Sequence, residues 1–184
     1  MVTQLEQAIA ANPDGIAIMG HPGDDAYRPF VEEAVAKGII VTSQNATLPG
    51  LQAEFASQGF GYVGQELYAS GWTLGQGILQ RANVKPGDHA LVWGLKSQPT
   101  RGQRTQGAID ALENGGLIVD YIEISAEVDK DAANGIPVIV GYLQANPNCK
   151  VVVTDHGNLT SAQQAYFESA GYGPDEIYGA GFDL

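Results

Sequence analysis

The 184-residue chain has a single cysteine, Cys149. One thiol allows neither an internal disulfide nor a cysteine-based metal site. Basic residues are also scarce: 9 Lys and Arg stand against 21 Asp and Glu, a formal net charge of −12. No run of basic residues occurs, and phosphate contacts need clustered Lys and Arg. Nucleic-acid binding by this segment is therefore not expected, and neither is attraction to anionic lipid. No apolar stretch approaches the roughly 20 residues of a membrane span. No signal-peptide pattern follows Met1. The remaining composition, 44% hydrophobic and 16% charged, is that of an ordinary globular protein. The length allows one or two small domains with a sizeable core.

Motifs for covalent or cofactor chemistry are missing too. There is no P-loop lysine motif and no G-x-S-x-G nucleophile elbow. Gly59-Phe60-Gly61-Tyr62-Val63-Gly64 satisfies G-x-G-x-x-G. Its glycines precede and span a strand pattern, whereas pyrophosphate binding needs them after a strand and at a helix start. The histidines His21, His89 and His156 lack the spacing of a metal pair. Asp155-His156 is a poor dyad, because adjacent residues on an extended segment point apart. No cofactor, no metal and no catalytic residue is expected.

What the chain does have is a regular alternation of helix and strand patterns. Val2, Leu5 and Ile9 mark a first helix that stops at Asn12-Pro13-Asp14-Gly15. Strand patterns follow at 15–19, 39–42, 60–63, 89–93, 117–124 and 150–154, and a last one delivers Asp183 to a loop. Helical stripes lie between them: Ala26, Phe30 and Ala34, ended by Lys37-Gly38; Leu67, Gly71, Leu74 and Ile78; Thr105, Ala108, Ile109 and Leu112; Ile136, Ile139, Val140 and Leu143; Ala162, Tyr166 and Ala170. From Gln44 to Gln58 the sequence reads as a long polar connection. The alternation predicts an α/β fold, a three-layer α/β/α sandwich with parallel sheets. It divides into an incomplete first lobe over residues 1–65 and a nearly complete second lobe over 66–184. Parallel sheets bind ligands beyond the carboxyl ends of their strands, so the loops after the strands are the places to look.

Arg101 and Arg104 stand in one of these regions, at the start of a helix. Cations there oppose the macrodipole. Either the two are exposed arginines satisfied by nearby acids, or a guanidinium is aimed at a ligand whose oxygens its fork of donors can grip. Trp72 and Trp93 read as core residues.

Several segments, in order, resemble the type I periplasmic binding proteins of sugar ABC transporters, the ribose-binding-protein-like group. They are Asn12 to Ile18, Ala34 to Val41 (similar to A-x-x-x-G-I-P-V), Tyr62 to Glu66 with Gly71, Arg104-Thr105-Gln106-Gly107 (R-x-x-G), Asn146-Pro147 before 151–154, and Gly181-Phe182-Asp183 (G-F-D). The resemblance covers nearly all 184 residues. It implies a non-catalytic extracytoplasmic protein, periplasmic or anchored at the cell surface. In the full-length protein two lobes would close on a sugar or similar small polar ligand and present it to a membrane permease. In this group the arginine of R-x-x-G and the aspartate of G-F-D hold sugar hydroxyls, which implies those roles for Arg104 and Asp183. The same comparison places His156 where asparagine is more usual, Ser43-Gln44 where Asp-Arg is usual, and Glu66 where Asp is frequent. The group's N-terminal strand-helix-strand and its final segments have no counterpart here. Unpaired strand edges lead to an expectation of self-association. The alternative of the same fold is the effector domain of a lac-repressor-type regulator, and the chain's acidity favours the transporter.

Overall fold

The computed structural model describes residues 2–182. They form two compact units: residues up to Leu67 together with Gln98–Arg101, and Tyr68–Ser97 together with Gly102 onward.

The first unit holds strands β1 (Gly15–Met19), β2 (Ile40–Gln44) and β3 (Gly61–Val63), with helices α1 (Val2–Ala10), α2 (Asp24–Ala36) and α3 (Pro49–Phe55). The strands are parallel and lie in the order β1-β2-β3. Side chains alternate across a strand. Ile18 and Val41 accordingly point into one cluster with Leu5, Ile9, Tyr27, Val31, Leu51 and Phe55 of the helices. The alternate positions Met19, Ile40 and Val63 are exposed. Among the described residues, the helices of this unit therefore pack on one face of its sheet.

The polar stretch expected as an irregular connection between Gln44 and Gln58 contains α3. Pro49 suits a first turn, and Leu51 and Phe55, one helical repeat apart, are both buried. The orphan amides at its start are taken by Asp24, which accepts from Leu51 N–H at 2.9 Å and Gly50 N–H at 3.1 Å. A cap supplied from 27 residues away leaves no local signature.

The second unit holds β4 (His89–Gly94), β5 (Ile118–Glu123), β6 (Cys149–Thr154) and β7 (Tyr178–Gly181). All are parallel, in the order β5-β4-β6-β7. Its helices are α4 (Leu67–Arg81), α5 (Gly102–Asn114), α6 (Ala126–Lys130), α7 (Ile136–Ala145) and α8 (Gly157–Ser169). Leu91, Trp93 and Val152 pack on one side with Ile139, Leu143, Leu159 and Tyr166. Ala90, Val92, Val151 and Val153 pack on the other with Ile78, Ala108, Ile109 and Leu112. This unit has the three layers read from the sequence, and its central strands are buried on both faces, as parallel sheets require. The short α6 was not legible beforehand. Ser125 Oγ caps it by accepting from Val128 N–H at 3.4 Å, and Val128 alone of its residues is buried.

A polar cluster ties α7 to this sheet near the amino ends of its strands. Tyr142 donates to Asp120 Oδ2 at 2.6 Å, and His89 Nδ1 lies 3.1 Å from the same oxygen. The Tyr142 hydrogen bond, and secondarily His89, hold the Asp120 carboxyl below the usual carboxylate range although burial opposes this. A carboxylate depressed in the folded state contributes stability above its unfolded value of about 3.9 and loses it as pH falls through the folded value. Tyr142→Phe should therefore be less stable by about 1 kcal/mol at pH 7. Its stability should also fall less steeply than that of the wild type between about pH 5 and pH 2. Urea denaturation across that range checks both expectations.

Candidate functional site

The carboxyl end of the second unit's sheet is rich in bonded polar groups. Strand β6 ends at Thr154, and the next residue, Asp155, still follows the ladder by donating its amide to Trp93 O at 2.9 Å. Its buried side chain meets two consecutive residues at the start of α5. Arg104 Nε donates to Asp155 Oδ1 at 2.6 Å, and Thr105 Oγ1 donates to Oδ2 at 2.5 Å. The side chains of Arg104 and Asp155 are 2% and 1% exposed. Burial at this level is tolerated because the pair is joined by charge-assisted hydrogen bonds. Below the guanidinium lies Phe182, with Arg104 Cζ 4.0 Å from the ring centroid. That distance is well within cation–π range.

The same edge is braced by α8. Gln163 Nε2 donates to Thr154 Oγ1 and to Ala180 O, both at 2.8 Å. Thr160 Oγ1 donates to Phe182 O at 2.9 Å and lies 3.0 Å from Thr154 Oγ1. Gly181 has to be glycine for this packing, because a Cβ there would fall 2.2 Å from Thr160 Oγ1. The G-F-D segment thus contributes a glycine that admits Thr160 and a phenylalanine that carries the guanidinium.

His156 follows Asp155 and occupies the residue before α8. Its Nε2 lies 3.1 Å from Asp129 Oδ1 on α6. Asp183 lies outside the described residues. In the first unit, Ser43 and Gln44 are the last two residues of β2. Ser43 is buried and its hydroxyl donates to Gly61 O at 3.3 Å, while Gln44 is exposed. Glu66, also exposed, follows β3 in the segment leading to α4. Of the six residues that stand out in the sequence, Arg104 and His156 lie at the carboxyl end of one sheet, Arg104 bonded to Asp155 and His156 next to it in the chain. Ser43, Gln44 and Glu66 lie at the corresponding end of the other unit's sheet.

In the sequence Asp155 stands out only as half of an unconvincing dyad. Its signal was the need of a buried arginine for a buried anion, and an aspartate ending a neighbouring strand is where one would stand. A cavity of about 720 Å³ opens at the other end of this sheet, beside Lys85, Lys150, Tyr172 and Tyr178. That is the amino-terminal end of the strands, away from where parallel sheets hold ligands.

The sequence profile of the periplasmic binding protein domain matches residues 1–184. The chain belongs to this family. Over 157 residues it is 27% identical to the xylose/arabinose-binding protein XylF of Sulfolobus acidocaldarius, covering 82% of this chain and 37% of that protein. Among solved structures it is similar to GanP, a glucose-galactose binding protein of Geobacillus stearothermophilus. The TM-score is 0.79 at 21% identity, over all of this chain and 61% of the other. It is also similar to an ABC transporter periplasmic solute-binding protein of Actinobacillus succinogenes with bound D-allose. There the TM-score is 0.78 at 22% identity, over 97% of this chain and 62% of the other. These likenesses establish a type I fold. The chain spans about three fifths of the length of these two structures and less than half of XylF.

Proposed function

We propose that this chain is part of an extracytoplasmic solute-binding protein that captures a neutral sugar or similar polyhydroxylated ligand and delivers it to an ABC permease. The observation that carries the reading is the buried Arg104–Asp155 pair on Phe182, at the carboxyl end of a parallel sheet. An arginine alone would offer a positive charge and favour a carboxylate or a phosphate. Here the guanidinium is compensated within 2.6 Å, so the pair offers fixed hydrogen-bonding groups with no net charge of its own. That pattern suits hydroxyls, which both donate and accept. The xylose/arabinose-binding relative and the allose-bound structural neighbour support the same class.

In this reading Arg104 holds ligand hydroxyls, with Asp155 and His156 at the same end of its sheet, and Ser43, Gln44, Glu66 and Asp183 are further ligand-binding residues. The ligand is held and released unchanged. In the described residues no helix is long and apolar enough to cross a membrane.

The test is calorimetric titration of pentoses, hexoses and polyols, with hexuronates and sugar phosphates as anionic counterparts. A neutral sugar should bind, its anionic derivative should bind more weakly, and the sugar should be recovered unaltered. Arg104→Lys and Asp183→Ala should each weaken affinity roughly 10- to 100-fold, the range for a lost hydrogen bond to a charged group. Preference for the anionic series, or binding indifferent to both substitutions, contradicts the proposal.

A further inference from the structure

Arg104 and Thr105 are neighbours on α5, and both reach Asp155. A carboxylate held through one oxygen can still rotate about its terminal torsion, which is broad. Held through both oxygens by consecutive residues of one helix, its plane is fixed. The Thr105 hydroxyl is fixed in turn, since Oγ1 also accepts from Leu95 N–H at 3.3 Å. A chain of bonds therefore runs from the end of β4 through Thr105 to Asp155 and on to Arg104. Thr105 is fully buried, and its β-branched side chain is stiff at χ1.

Gly94, the last residue of β4, makes room for this arrangement. A Cβ there would lie 2.6 Å from both Cγ2 and Oγ1 of Thr105 and 3.2 Å from Asp155 Cβ. The strand end, the threonine and the aspartate are thus fitted to one another without slack.

We infer that Thr105 is a positioning residue. It sets the plane of Asp155 and, through it, the direction in which Arg104 presents its guanidinium. The ligand arm of the test rests on the sugar-binding reading above; the first arm does not.

The chain has four arginines, so its Nε–H region in a ¹⁵N-correlated NMR spectrum is sparse, and Arg104→Lys identifies the Arg104 signal. Thr105→Val keeps the shape of the side chain and removes the donor. It should shift the Arg104 Nε–H signal and speed its hydrogen exchange by about tenfold or more. Thr105→Ser should leave both close to wild type. An unchanged signal in Thr105→Val, or an equal change in Thr105→Ser, overturns the inference. If Thr105→Val does not fold, Thr105→Ala takes its place, because it removes the same hydroxyl and adds nothing against Asp155. A shifted Arg104 signal there supports the inference and an unchanged one overturns it.

In the second arm, the sugar that binds the wild type is titrated against the same variants. Thr105→Val should weaken it about tenfold and Thr105→Ser by less than about threefold. Equal losses contradict the role of the hydroxyl. If no sugar binds the wild type, the sugar reading fails, while the Nε–H signal still decides the positioning role.

Discussion

Arg104→Ala is expected to destabilise the protein by about 3–5 kcal/mol, the cost of stranding one member of a buried ion pair. Truncation removes the Arg104 bond from the buried Asp155 carboxylate while the Thr105 bond stays. It also removes the cation from the face of Phe182. Asp155→Ala should cost about as much, by stranding the guanidinium instead. The two losses should not add. A double variant that fills the space with apolar side chains, Arg104→Met with Asp155→Leu, should recover most of the stability, because buried pairs replaced by packed hydrophobic residues are often neutral. It should not recover ligand binding. Urea denaturation of the four proteins checks this, with unchanged m-values as the sign that stability alone has moved. Additive losses would show that the pair is not a unit.

Gly107→Ala is expected to cost about 1–3 kcal/mol, the usual penalty for overpacking a filled contact. A methyl group at this position would lie 2.1 Å from the Tyr68 carbonyl oxygen and 2.9 Å from the Trp72 amide nitrogen. Both obstacles are backbone of α4, so no side-chain rotation relieves them. The facing Gly71 has the same requirement, since a Cβ there would fall 1.9 Å from Arg104 O. The glycine of R-x-x-G thus has a mechanical purpose: it lets α4 press against the helix that carries Arg104. Gly141, in α7, is the matched control. A Cβ there meets nothing within 4 Å, and Gly141→Ala should stabilise by roughly 0.5–1 kcal/mol through helix propensity alone. Thermal or urea unfolding of both variants gives the comparison. Equal effects would remove the argument from close approach.

The strand-helix order was legible because the apolar residues recur with the periods of each element, and the seven strands among the described residues fall on those patterns. Arg104 stood out because a cation at a helix start opposes the helix dipole. Its partner could not be read, since Asp155 lies 51 residues away and no local pattern joins them. The same limit hid α3, whose cap comes from Asp24, and the α4–α5 crossing, since the helical pattern that includes Gly71 does not say what that glycine faces. His156 stood out through the family resemblance, which places it in the loop after a second-lobe strand where asparagine is more usual. The structure places the two side chains in different company, Asp155 with Arg104 and His156 with Asp129.

The central claim is that a neutral polyhydroxylated ligand binds at the carboxyl end of these strands, against the compensated Arg104–Asp155 pair. The most direct measurement is a ¹H–¹⁵N NMR titration of the uniformly labelled chain with the tightest-binding neutral sugar. The account predicts that shifts concentrate at the amides of Leu95, Arg104, Asp155, His156 and Phe182 and at the Arg104 Nε–H. Shifts confined to the opposite end of the sheet, at Lys85, Lys150, Tyr172 and Tyr178, would contradict it.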